Sequence, residues 1–335
     1  MKALRKAALA AAATLVVAGL SFEASAETWR MAHKMPADSV EGRVFQAFAD
    51  RIAEKTDGAI TVQVYPNEQL GKDDAILEQL QMGTVHIYPE GSSYLQKWVP
   101  EMQFVSAPFL FDDREHWARF MASDLVKDWH ERIETEAGIT VIGDPTAMVR
   151  GPYRVMVVKK PVASLEDIQG LKLRLHPDEL AAAAWRHLGA EVRTLAWTEV
   201  YESLGRGIVE AVNSPIALVE PMRFYEVAPH VVRHDEYPQG LAFMANAAAW
   251  NALDEETRAQ VLEAYDEVAA ESAAETLNAA NESIERMKKE GVTFLQLDTA
   301  PVVERMQQLY EQMRENGELP EGFLETVAET RQIDG

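Results

Sequence analysis

Residues 167–179 (DIQGLKLRLHPDE) and 189–215 (GAEVRTLAWTEVYESLGRGIVEAVNSP) hold the stretch on which the fold is read. Leu171, Leu173 and Leu175 alternate with Lys172, Arg174 and His176, the period of two of a β-strand. A helix is predicted over Pro177 to Leu188, another over Thr198 to Gly205, and a strand over Ala211-Val212-Asn213. A guanidinium carried on such a strand can meet a carboxylate in a two-pronged, charge-assisted contact, which singles out Arg174.

Working outward, the same alternation of elements fills the N-terminal half. Trp29 to His33 reads as a first strand. Ser39 to Lys55 follows with apolar Val40, Val44, Phe45, Phe48 and Ile52 at helical spacing and Gly58 as a stop. Ile60 to Tyr65 alternates as a strand, Asp73 to Met82 is an amphipathic helix, and Val85 to Tyr88 is the next strand. Strand–helix–strand–helix–strand implies parallel pairing and an α/β lobe. Ile139–Ile142 and Tyr153–Val158 resume the strand pattern, and the elements around Arg174 make a second α/β lobe. Asp254 to Lys289 is one long helical run with Asp254 as N-cap and Gly291 as the stop. At 1.5 Å per residue it is about 50 Å long, more than one small lobe can cover, and it is expected to cross between the lobes. A strand over Val292–Leu297 and a helix over Val302–Asn316 close the chain.

The first residues point to export. Lys2, Arg5 and Lys6 precede an uncharged apolar run from Ala7 to Leu20, and Ala24-Ser25-Ala26 is a small-residue cleavage signal. Residues 1–26 are therefore expected to be a signal peptide cleaved after Ala26, too short in its apolar part to span a membrane. There is no cysteine, hence no disulfide and no lipid-anchoring thiol. The chain carries a formal charge of −22, and loss of Lys2, Arg5, Lys6 and Glu23 takes the mature protein to −24. That charge disfavours nucleic acid and anionic lipid as partners.

Signals for catalysis are lacking. His130-Glu131 is followed by Arg132, Ile133 and Glu134 rather than a second zinc-binding histidine, no Gly-x-Ser-x-Gly occurs, and Gly205-x-Gly207 is not continued as a dinucleotide fingerprint. Asp112, Asp113 and Glu115 lack the spacing of a calcium loop and read as a turn and N-cap. Thr198 reads as the N-cap of its helix with Glu199 in the first turn, and Tyr201 as packing. No enzyme, metal or cofactor is expected.

Several motifs in order resemble the extracytoplasmic solute-binding proteins of TRAP transporters, the DctP-like family, over nearly the whole mature chain. They are Tyr65–Ile87 (YPNEQLGKDDAILEQLQMGTVHI), Ala107–Phe111 (APFLF), Arg150–Val155 (RGPYRV), Lys160–Leu175 (KPVASLEDIQGLKLRL), Leu188–Val192 (LGAEV) and Trp197–Pro215. The resemblance implies a two-lobed, Venus-flytrap fold that captures an organic acid between its lobes and delivers it to the small and large subunits of a membrane permease. In that family Arg174 matches the arginine that clamps the ligand carboxylate and Arg154 the second arginine, with Arg150 as its rival. Trp197 holds the aromatic position that packs on the ligand, and Asp73, Glu90 and His33 fall where the first lobe lines the pocket. Where the family commonly reads D-G-Q-E-N-P this chain has Glu210–Pro215, so the pocket asparagine becomes Ser214 with Asn213 beside it. A second-lobe histidine becomes Glu236, next to Tyr237. Glu90 and Glu236 are expected to meet hydroxyl or amine donors of the ligand. Residues 27–150 with 240–279 are expected to form lobe I, and 151–239 with 280–335 lobe II. A sensing module that presents its ligand to a receptor kinase, or a hydrolase of exported metabolites, are the alternatives.

Overall fold

A computed structural model describes residues 27–331; the expected signal peptide lies outside the described residues. Among the described residues, eleven strands form two sheets. The first takes β1 (Glu27–Ala32), β2 (Ile60–Tyr65), β3 (Ile87–Glu90), β4 (Ile139–Ile142) and β10 (Ala242–Asn246) in the order β2-β1-β3-β10-β4. The second takes β5 (Arg154–Val158), β6 (Lys172–Leu175), β7 (Glu191–Thr194), β8 (Ala211–Pro215), β9 (His230–Arg233) and β11 (Thr293–Gln296) in the order β11-β9-β5-β8-β6-β7. β1 pairs in parallel with β2 and β3, as the alternation of elements requires, and β6 in parallel with β7 and β8. Each sheet also receives an antiparallel strand from elsewhere in the chain: β10 between β3 and β4, and β5 between β8 and β9.

Those inserted strands fix how the lobes are joined. The chain leaves the first sheet after β4, enters the second at β5, and returns from β9 to β10. The two crossings run side by side: Arg150 N–H donates to Gln239 O at 3.0 Å and Leu241 N–H to Met148 O at 2.9 Å, around an antiparallel bridge of Val149 with Gly240. A side chain at position 240 would put its Cβ 2.1 Å from Pro145 O, so this close approach of two backbones demands glycine.

Helix Glu255–Lys289 is the third connection. Asp254 caps it by accepting from Thr257 N–H at 2.7 Å, as its sequence position predicts. Its first half packs Val261, Ala264, Tyr265 and Val268 with Phe45, Phe48 and Phe243 of the first lobe. Its second half packs Ala280 and Met287 with Val155, Val157 and Val212 of the second. The long helix thus spans both lobes. The predicted boundaries shift elsewhere by a residue or two; Val85–Tyr88 becomes β3 at Ile87–Glu90 because Met31 of β1 pairs with Ile87. The domain division also needs one correction. Helix Phe323–Arg331, expected with lobe II, lies on helix Arg114–Met121 of the first lobe, with Phe323 buried against Phe104 and Phe120 and His116 Nε2 bonded to Val327 O at 2.9 Å. Burying that apolar face outweighs proximity in sequence.

At the end of β4, Gly143 sits at φ +69°, and an added Cβ would lie 2.2 Å from the Tyr265 ring of the long helix. Left-handed strain and overpacking each cost about 1–3 kcal/mol. Gly143→Ala is therefore expected to lower the thermal midpoint by roughly 5 °C or more, measured by circular dichroism; an unchanged midpoint contradicts this packing.

Candidate functional site

The strands that carry Arg174, Asn213 and the crossings end at one place, a cleft between the lobes. Its cavity encloses about 330 Å³ counted out to the mouth. Lys34 and Tyr94 come from the first lobe, Arg174, His176, Trp197 and Asn213 from the second, and Arg150, Arg154 and Gln239 from the crossings. β6 lies inside its sheet, between β8 and β7, so Arg174 cannot point along an exposed edge. It is buried at 3 % exposure.

Four cations line this cavity, and burial opposes the charge on each of them. Three have acids of their own. Lys34 Nζ lies 2.8 Å from Glu90 Oε2 and 3.2 Å from Asp73 Oδ1, and donates to Tyr94 Oη at 2.9 Å. Arg150 donates to Glu90 and lies 3.2 Å from Glu41 Oε2. Arg154 Nε donates to Glu236 Oε2 at 3.0 Å, its Nη1 donates to Gln239, and its guanidinium lies 4.4 Å from the centre of the Tyr237 ring. For these three the neighbouring groups outweigh burial and push the pKa up. Arg150 and Lys34 likewise overcome the burial of Glu90 and hold its carboxyl down to about 2.

Arg174 differs. Its Nε and Nη2 donate to Leu195 O at 2.9 and 2.6 Å, and its guanidinium lies 5.3 Å from the centre of the Trp197 ring. No carboxylate among the described residues pairs with it. Burial pulls its pKa down to about 10, offset only in part by the more distant Tyr94 and Asp73, and it is still cationic at neutral pH. A charge held in a protein interior without a counter-charge is costly, and a ligand carboxylate would relieve that cost.

The sequence-derived candidates divide accordingly. Arg174, Arg154, Trp197 and Asn213 line the cavity, as does Arg150. Glu90 and Glu236, expected to meet ligand donors, do not line it: Lys34 and Arg150 engage Glu90, while Arg154, Trp185 and Asn213 engage Glu236. Asp73 accepts from Lys34 and Tyr88 behind the wall. His33 stacks edge-on to Phe45, its Nδ1 accepting from Met35 N–H at 3.2 Å. Ser214 is fully buried with Oγ donating to Pro215 O, and Tyr237 lines a neighbouring pocket on the crossing-strand side. Lys34, Tyr94, His176 and Gln239 were not singled out in the sequence. His176 falls in step with Arg174 in the alternation, the one signal that could have found it.

Contacts also join the two rims. The Tyr94 and His176 rings stack 5.4 Å apart, Ser106 Oγ approaches Asp178 Oδ2 at 3.4 Å, Thr198 Oγ1 donates to Glu68 Oε2 at 2.7 Å, and Lys72 pairs with Glu199 at 2.5 Å. The capping role read for Thr198 and Glu199 is thereby corrected. Trp197–Glu199 forms a 3-10 turn ahead of the helix Val200–Gly205, with no side-chain cap, and both side chains reach across to the other lobe. Tyr201, read as packing, donates to Glu226 at 2.8 Å.

A pair of α/β lobes that share a long helix, with an uncompensated cation between them, is the build of a two-lobed solute-binding protein. The chain belongs to the bacterial extracellular solute-binding proteins of family 7, DctP, which its residues 31–316 match. A solute-binding protein of Roseobacter denitrificans is 27% identical over 292 residues, 87% of this chain and 88% of its own. The C4-dicarboxylate-binding periplasmic protein DctP of Rhodobacter capsulatus is 28% identical over 249 residues, 73% of each chain. Among solved structures, a TRAP periplasmic solute-binding protein of Actinobacillus succinogenes with bound L-galactonate matches at a TM-score of 0.82 and 24% identity, over 91% of this chain and 99% of its own. That of Ochrobacterium anthropi with bound L-fuconate matches at 0.83 and 23%, over the same shares. The family is one of TRAP transport rather than of enzymes.

Two histidines beside the cleft carry a pH consequence. Burial holds both His33 and His234 down to about 4, against an ordinary 6.5. The unfolded chain therefore takes up protons between these values that the folded one does not, and stability present above pH 6.5 is lost as the pH falls toward 4. Each contributes about 2 kcal/mol of loss between pH 6.5 and 5, at 1.36 kcal/mol per unit. Urea denaturation is expected to show that decline, reduced by about half in His234→Gln; a flat profile would contradict it.

Proposed function

We propose that this protein is an exported, periplasmic receptor that captures a small organic acid between its lobes, with Arg174 as carboxylate clamp, and delivers it to a TRAP permease. The uncompensated guanidinium of Arg174 in the cleft carries the reading. Its planar fork suits a carboxylate, and its remaining amino group, Nη1, has no hydrogen-bond partner among the described residues. The ligands named in related structures, L-galactonate, L-fuconate and D-glucuronate, are acids of this kind. Delivery to the small and large permease subunits rests on the family alone, and export on the leader ending at Ala26.

Capture works by differential contact. The acid docks on Arg174 and Trp197 of the second lobe, and Lys34 and Tyr94 of the first reach it only when the lobes meet. A ligand shifts an equilibrium between open and closed forms by as much as its affinities for the two differ. The paired crossings at 148–152 and 237–241 and the long helix are the segments that bend.

Charge-assisted hydrogen bonds contribute about 1.5–3 kcal/mol each. Arg174→Lys, which keeps the charge and loses the fork, is expected to weaken binding of the cognate acid by about 10- to 100-fold in calorimetry; affinity within twofold of the parent would sink the clamp. The rim pair tests closure. Glu199→Lys sets it against Lys72 and is expected to speed ligand dissociation by roughly threefold, with the added swap Lys72→Glu restoring the rate in stopped-flow measurements. A dissociation rate unmoved by either change would remove these residues from the closing motion.

A further inference from the structure

At the edge of the first sheet lies a second hollow that shares no lining residue with the cleft. β4 is the last strand there, with β10 on one side only. Ile139 is buried in one core with Phe120, Trp129 and Ile133, and Val141 packs on that core. Helices Arg114–Met121 and Asp124–Ala137 thus cover one face of β4 and stop short of its free edge. Between edge and helices runs a groove of about 1060 Å³ counted out to the mouth, with Met121, Ile133, Ile139 and Val141 as its apolar lining.

The ladder shows which way the backbone of β4 points. Ala247 N–H donates to Gly138 O at 2.8 Å, and the register continues with Thr140 opposite Ala245 and Val141 opposite Met244. Bonded and unbonded pairs alternate in an antiparallel ladder. Gly138, Thr140 and Ile142 are therefore bonded toward β10, while the N–H and C=O groups of Ile139 and Val141 point out over the free edge. Outside the ladder, no backbone group among the described residues bonds to them. Such an edge is a template for another strand, and β4, Ile-Thr-Val-Ile, holds neither the charge nor the proline that commonly blunts one.

Charge decides which strand fits. Lys127 on the rim is answered by Asp124 at 3.1 Å. Glu131, Glu134 and Asp144 also line the groove, and none of them has an ion-pair partner among the described residues. Glu134 accepts only from Asn251 at 3.0 Å, and Asp144 from Thr146 at 2.8 Å. A second copy of this chain would set these carboxylates against their own kind, on molecules that each carry −22. A basic strand would meet them with opposite charge.

We propose that the groove beside β4 docks an extended, basic segment of a partner protein. The segment adds as a strand to Ile139–Ile142, lays its apolar side chains over Met121 and Ile133, and sets its lysines or arginines on Glu131, Glu134 and Asp144.

Peptide binding to the purified mature chain tests this. The probe is a fluorescein-labelled, amidated Lys-Val-Lys-Val-Lys-Val-Lys. One control has glutamate for every lysine. Another keeps the side chains but methylates alternate backbone nitrogens, which removes the donors a strand edge needs. Anisotropy is expected to show the probe binding at least about tenfold more tightly than either control, and more weakly as salt is added. In hydrogen exchange followed by NMR, the probe is expected to slow the Val141 amide about fivefold or more. Thr140 and Ile142, already bonded to β10, are expected to stay unchanged. Val141→Pro removes an outward donor and leaves the ladder intact; it is expected to weaken the probe roughly tenfold. The paired surface changes Glu131→Lys and Glu134→Lys are expected to do so by about the same factor. A probe that does not bind, a methylated control that binds equally well, or a Val141 amide unmoved by the probe overturns the proposal. So does a Val141 amide already protected in the free chain: in a monomer the chain's own ends then cover the edge, and in a dimer seen by sedimentation a second copy does.

Discussion

A guanidinium cannot leave water without something to replace the hydration it loses, and at Arg174 the protein supplies only part of that replacement. Leu195 O and the Trp197 ring meet it from its own lobe. Neither is a charge. The other cations of the cleft are handled differently: Lys34 and Arg150 are matched by Glu90, Asp73 and Glu41, and Arg154 by Glu236. Each of these pairings lies within one lobe or its adjoining crossing. On the proposed motion they persist whether the lobes stand together or apart, so the walls of the cleft are preorganised and the missing charge is left for the proposed ligand to supply.

The scaffold serves that arrangement. Arg174 lies on an interior strand of the second sheet, next to its edge strand β7, and Arg154 begins the strand that the first crossing feeds. Gln239, from the return crossing, accepts from Arg154 beside the cavity, while Arg150 is bonded through its backbone to the same residue. On the proposed closing motion, the segments about which the lobes turn are therefore the segments that carry cavity-lining side chains. A change in lobe angle and a change in the cleft wall are the same event at these residues.

Much of this was legible in the sequence because it depends on local periodicity. The alternation around Arg174, the cap at Asp254 and the parallel pairing of β1 with β2 all follow from residues within one or two elements. What was not legible depends on long-range pairing. Glu90 and Glu236 stand beside pocket motifs, and nothing nearby tells a ligand-facing acid from one matched by Arg150 or Arg154, 60 and 82 residues away. Thr198 and Glu199 carry the composition of a helix start, yet their partners Glu68 and Lys72 lie 130 and 127 residues back. β9 and β10 are short strands inserted between distant neighbours, where sheet context rather than propensity decides. Lys34 follows the first strand with no pattern to mark it, and its importance comes from Asp73 and Glu90 alone.

The net charge of the chain raises an objection to anion capture that distance answers. The long helix bears many of the acids, and on its surface Glu263, Glu267, Glu271 and Glu275 are met by Arg43, Arg51 and Lys55 of helix Val40–Lys55. Beyond a Debye length of about 8–10 Å such exposed charges fade, whereas a ligand in the cleft touches a desolvated guanidinium. The same contrast bears on closure. Exposed pairs such as Lys72 with Glu199 are worth about 0.2–1 kcal/mol, too little for a few of them to hold two lobes shut. Contacts of that size would leave the proposed open and closed forms near balance, and a buried charge-assisted bond, larger and less screened, would then decide between them. On the proposed mechanism the chain can be strongly acidic outside and still close on an anion, because what closes it is the charge it keeps away from water.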